Sequence, residues 1–152
     1  MKTLVLGLGN TILRDDGIAI RIVRGLEPVL SRADIEVKCS SLSGLALLDE
    51  ILGFDRVVVV DAVQSQNHKV GDIFQIEFQE LEGLPRGGSP HYVGLPSLLH
   101  YCRQYGLDAP DKIQVLGIEV EDPYSFDENL CDELEKAIPI LTEKVKMFVL
   151  GQ

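Results

Sequence analysis

The chain has 152 residues, 45% of them hydrophobic, enough for one sizeable core and expected to form a single domain over 1–152. With 24 Asp and Glu against 14 Lys and Arg, the formal charge is −10; that field repels phosphate backbones and anionic lipid surfaces, so neither nucleic acid nor a membrane is an expected partner. Cys39, Cys102 and Cys131 are widely spaced, with no CxxC pair, and read as reduced thiols. The apolar run after Met1 is too short for a signal peptide or a span, so the expected compartment is the cytoplasm.

Leu4 to Leu8, stopped by Gly9-Asn10, has the pattern of a strand buried on both faces of a parallel sheet. From Asp16 onward Ile18, Ile22, Val23, Leu26 and Leu30 recur at helical spacing, with Arg21, Arg24 and Glu27 outside the stripe. Ile35 to Cys39 suits a second strand, and Leu45, Leu48, Ile51 and Leu52 a short helix after the turn Ser41-Leu42-Ser43-Gly44. Val57 to Val60 is the strongest strand signal, with Asp61 at its carboxyl end. No helical stripe lies between Ala62 and Gly71, so the next strand, over Asp72 to Phe78, is expected to run antiparallel. The breaker-rich loop Arg86 to Pro90 leads to His91, just ahead of a helix with Pro96 in its first turn and Leu95, Leu98, Leu99 and Cys102 inward. Ile113 to Ile118 reads as the last strand, and Leu130 to Val149 as a long helical stripe that Pro139 is expected to kink or restart. The predicted fold is α/β, a three-layer α/β/α sandwich with a mostly parallel, mixed five-stranded sheet.

In doubly wound sheets functional groups gather beyond the carboxyl ends of the strands. Asp16, Asp61 and His91 all fall there. Two carboxylates and an imidazole suit a divalent ion such as nickel or zinc and leave coordination positions open. Each residue also has a plainer reading: Asp16 as a helix cap, Asp61 as an Asx-turn former, His91 as an ordinary surface side chain. Spacing alone does not choose between them. Gly7-Leu8-Gly9-Asn10 looks like a dinucleotide fingerprint, but Ile12 replaces the third glycine and Asp15 and Asp16 oppose a phosphate. His68 and His100 are read as structural, and Cys102 and Cys131 as core residues. No serine stands in a nucleophile elbow.

Leu6-Gly-Leu-Gly-Asn10, Leu13-Arg-Asp-Asp-Gly17, Val60-Asp-Ala62, Ser89-Pro-His91, Gly94-Leu95 and Gly117-Ile118 occur in an order that resembles the hydrogenase maturation proteases over nearly the whole chain. The resemblance implies an aspartic-type endopeptidase that removes the C-terminal tail of a nickel-loaded hydrogenase large-subunit precursor. It places both metal recognition and catalysis on Asp16, Asp61 and His91, with nickel supplied by the substrate. The turn Ser41 to Gly44 departs from relatives, where it is often glycine-rich, and bears on how substrate fits. Two other functions stand beside the protease: a non-catalytic nickel-sensing chaperone using the same ligands, and a flavin- or nucleotide-binding protein on the same sandwich.

Overall fold

The computed structural model describes residues 1–42, 44–77 and 95–152. Four strands run parallel: β1 (Thr3–Leu8), β2 (Ile35–Ser40), β3 (Arg56–Val63) and β5 (Lys112–Glu119); β4 (Ile73–Ile76) pairs antiparallel with β5, and the sheet order is β2-β1-β3-β5-β4. This is the expected mixed sheet. Every residue of β1 is buried, because helices cover both faces, and a continuous apolar run is what such a strand requires.

One face is packed by α1 (Ile18–Leu30) and α4 (Asp132–Leu150), whose Ile22, Leu26, Leu134, Leu141 and Val145 meet Val5, Val58 and Val60. The other face is packed by α2 (Gly44–Ile51) and α3 (Leu95–Gln104), whose Leu47, Leu48, Ile51, Leu99 and Cys102 meet Leu4, Leu6, Val57 and Val59. Each large aliphatic side chain fully removed from water contributes about 1.5–3 kcal/mol. The three layers therefore follow from strand residues alternating between two apolar helix pairs. Gly7 serves the first of these contacts: a Cβ there would stand 3.0 Å from both the Ala19 carbonyl and the Val23 side chain, so a larger residue would push α1 and β1 apart by a few tenths of an ångström.

Several boundaries differ from expectation. A short 3-10 turn, Arg14–Gly17, precedes α1, so the acidic pair lies outside that helix. β3 continues past the valines to Val63, which places Asp61 within the strand. β4 stops at Ile76, short of the predicted Phe78, which lies outside the described residues. α4 runs unbroken through Pro139. A proline there removes one backbone bond and strains the preceding turn, at a cost of about 3 kcal/mol. Burial of Leu134, Leu141, Val145 and Val149 along the same helix outweighs that loss. The far end of α4 is held by Arg56, which donates to the Val149 carbonyl at 2.9 Å and to Gln114 at 2.7 Å, a cation placed where the helix dipole is negative.

The three cysteines are free thiols, Cys102 and Cys131 buried in the two cores. His68 stacks on Phe74 at 3.8 Å, the structural role expected of it. Among the described residues no helix is long and apolar enough to cross a membrane.

Candidate functional site at the carboxyl edge of the sheet

β1 is flanked by β2 on one side and β3 on the other, and α1 and α2 leave on opposite faces. The carboxyl ends of β1 and β3 thus border the crevice where such sheets bind ligands. The loop after β1 carries Asp16, and its 3-10 turn lies against β3. Asp61 is on β3 itself.

Asp16 does not cap α1. The residue in the cap position is Gly17, and no side chain bonds there. The Asp16 carboxylate instead turns back and accepts the Asn10 N–H at 2.9 Å, while the Asp16 N–H donates to the Leu13 carbonyl at 2.8 Å. Gly9 makes this closure possible: a Cβ at that position would fall 2.1 Å from the Asp16 carbonyl oxygen. Arg14, two residues before Asp16, takes a φ of +25°, uncommon for a residue with a side chain. The Gly7-Leu8-Gly9 run therefore seats α1 and closes the Asp16 loop.

Asp61 is fully buried. Val59 and Val63, two residues away on either side, belong to the same core as Leu8 and Leu99, so Asp61 faces the layer of α2 and α3. The far end of α3 is tied to the start of β3: Gly53 N–H donates to the Asp108 carbonyl at 2.9 Å and Asp111 N–H to the Asp55 carbonyl at 3.0 Å. Running back along the sheet, α3 must begin toward the carboxyl edge, where Asp61 lies. His91 precedes α3 in sequence and lies outside the described residues.

Asp15 has a different task. Fully buried, it accepts the Glu121 N–H at 3.1 Å and the Asp122 N–H at 2.8 Å on one oxygen, and the Cys131 N–H at 2.8 Å on the other. Its own N–H donates to the Asp122 carbonyl at 2.9 Å. Ligand atoms of Asp15, Glu121 and Cys131 fall within 4.8 Å of one another, but with three backbone donors already on its carboxylate Asp15 is a bolt between two loops. Burial pushes the Cys131 thiol up, away from the thiolate a metal would need. The bolted segment is further shaped by Asp122, whose carboxyl is held below the ordinary range by the Ser125 hydroxyl and by the Tyr124 and Ser125 N–H groups.

A second buried carboxylate, Glu119 at the end of β5, accepts the Ser65 hydroxyl and the Ser65 N–H at 3.0 Å. It fixes the segment that follows β3, just beyond Asp61. Neither role was foreseen, since Asp15 bonds residues 106 to 116 positions away and Glu119 a residue 54 positions away. No local pattern announces such pairs.

The family model for hydrogenase maturation protease matches residues 20–147. This chain belongs to that family. It is 32% identical to the hydrogenase 2 maturation protease of Escherichia coli K12 over 120 residues, spanning 78% of this chain and 73% of the relative. Among solved structures it is similar to the hydrogenase maturating endopeptidase HybD from E. coli, with a TM-score of 0.77 and 27% identity over 99% of this chain and 94% of that one. An endopeptidase from E. coli solved in solution matches with a TM-score of 0.76 and 29% identity, over 95% and 90% of the two chains. The maturation protease fold thus accounts for the mixed sheet and its helices. In this member the β1 loop and β3 bring two of the three sequence-derived candidates to one edge.

Proposed function

We propose that the protein is an endopeptidase that trims the C-terminal tail of a nickel-loaded hydrogenase large-subunit precursor, recognising the substrate's nickel through Asp16, Asp61 and His91. The observation that carries this reading is the packing of the Asp16 turn against β3, the strand that carries Asp61, in a chain of the maturation protease family. Nickel is here part of the substrate. Two carboxylates and an imidazole are too few to saturate it, so they bind best an ion whose remaining positions are filled by the substrate's own ligands.

The two acids meet such an ion differently. Asp16 is half-buried, with its carboxylate accepting the Asn10 N–H, whereas Asp61 has no contact with solvent. An arriving cation therefore engages Asp16 first. Its attraction to Asp61 is stronger per unit distance, because burial lowers the local dielectric. Once bound, the ion would polarise the scissile carbonyl or a water, and a carboxylate at the site would take the proton that the attacking water loses. Peptidase activity fits the family, and the assignment of the attack to metal and carboxylate fits the absence of a framed serine nucleophile in the sequence.

The test is incubation of the purified protein with nickel-loaded and nickel-free precursor, followed by mass spectrometry of the products. A released C-terminal peptide from the loaded form only is the expected result. Equal cleavage of both forms would overturn nickel recognition, and stable binding of the loaded form without a released peptide would favour the maturation chaperone.

A further inference from the structure

The segment that grips Asp15 also carries two exposed aromatic side chains. Phe126 is 85% exposed and Tyr124 is 66% exposed. Across the backbone bond from Asp127 N–H to the Ile12 carbonyl, 2.9 Å long, stands Ile12, 48% exposed and in the same loop as Asp16. Leu13 and Asp127 form a bridge beside it. Two chain segments thus join at the sheet edge and hold three bulky apolar groups outward, next to the proposed metal-recognition residue.

Such groups exposed on a floppy loop would carry little meaning. Here the backbone beneath them is fixed. Asp15 takes the Glu121, Asp122 and Cys131 N–H groups. Asp122 takes those of Tyr124 at 2.9 Å and Ser125 at 3.0 Å, and Asp127 takes that of Asn129 at 2.8 Å. The backbone share of the ordering cost of presenting the aromatic rings is thereby met before any partner arrives, a condition that favours binding by exposed Tyr and Phe. Exposed Glu121, Asp127 and Glu128 flank them.

We propose that Ile12, Tyr124 and Phe126 form a docking lip for the nickel-bearing substrate protein, seating an apolar spot on its surface that is flanked by Lys or Arg. This rests on the reading of Asp16 as a metal-recognition residue, and continuity of the lip with the Asp16 loop is what assigns the occupant. Charge argues for the same choice. With a formal charge of −10 and carboxylates around the lip, a second copy of this chain and an anionic membrane are both repelled, whereas a basic-flanked apolar surface is attracted.

The test uses steady-state trimming of nickel-loaded precursor by the full chain and by the double variant Tyr124→Ser/Phe126→Ser, whose substitutions lie on exposed positions. KM is expected to rise about tenfold with kcat unchanged, the loss typical of truncating interface aromatics. The wild-type KM should rise with added salt, as the acidic flank is screened, and nickel-ion binding by the protein alone should be equal in both. An unchanged KM overturns the lip while leaving the protease reading in place. A lower kcat at constant KM also overturns it, as does a dimer of the wild type that the double variant abolishes. A wild-type protein that neither binds nor trims the loaded precursor removes both readings together.

Discussion

Asp61→Asn is expected to abolish trimming of nickel-loaded precursor, by about 10³-fold or more, while the protein remains folded with a melting temperature within a few degrees of wild type. The amide matches the carboxylate in shape, so the packing around a fully buried side chain on β3 is retained. What is lost is the negative charge, and with it one of the three ligands proposed for the substrate's divalent ion, where electrostatic stabilisation would contribute most. Gel-shift assay of precursor processing, run beside thermal unfolding, checks both halves. Full activity in Asp61→Asn would remove this residue from the chemistry. Loss of activity together with a collapse of the melting temperature would make its role structural.

The opposite pattern is expected one residue before Asp16. Asp15→Ala leaves the Glu121, Asp122 and Cys131 N–H groups without their acceptor. Each buried donor so stranded costs about 1–3 kcal/mol, and partial access of water to the outer two brings the expected total to about 3 kcal/mol. For a chain of this length that lowers the melting temperature by roughly 6–12 °C. Asp15→Asn should fall between, because its amide keeps one acceptor oxygen but turns the other toward a backbone donor. Calorimetry of the three proteins measures the series. A melting temperature for Asp15→Ala equal to that of wild type would mean that the loops on either side are held by other contacts.

Strands were legible wherever both faces are buried: the apolar runs at Leu4 and Val57 mark β1 and β3 directly, and the antiparallel β4 follows from the missing crossover helix. The edges of elements were less so. A helix cap is the plainer reading of Asp16, because Asp is favoured there, yet its carboxylate closes a loop onto Asn10, a choice decided by Gly9 and by packing against β3. Pro139 suggested a break, but the break would expose a long apolar stripe, and tertiary burial prevails over local preference.

The candidate site was legible as a set of residue types at strand ends rather than as a geometry. Sequence named Asp16 and Asp61 from their places after β1 and on β3, and the sheet order then puts those two strands side by side. It missed Asp15 and Glu119 as anchors, since their value lies in backbone donors far along the chain. An acidic pair reads the same whether a residue binds an ion or fastens a loop; only the hydrogen-bond partners separate the two.

The most direct measurement is anomalous diffraction at the nickel edge from crystals of this protein soaked in nickel. The expected result is one ion bound by the carboxylates of Asp16 and Asp61 and the imidazole of His91, at about 2.0–2.2 Å from each. An ion held instead by Asp15, Glu121 and Cys131, with none between Asp16 and Asp61, would contradict the account.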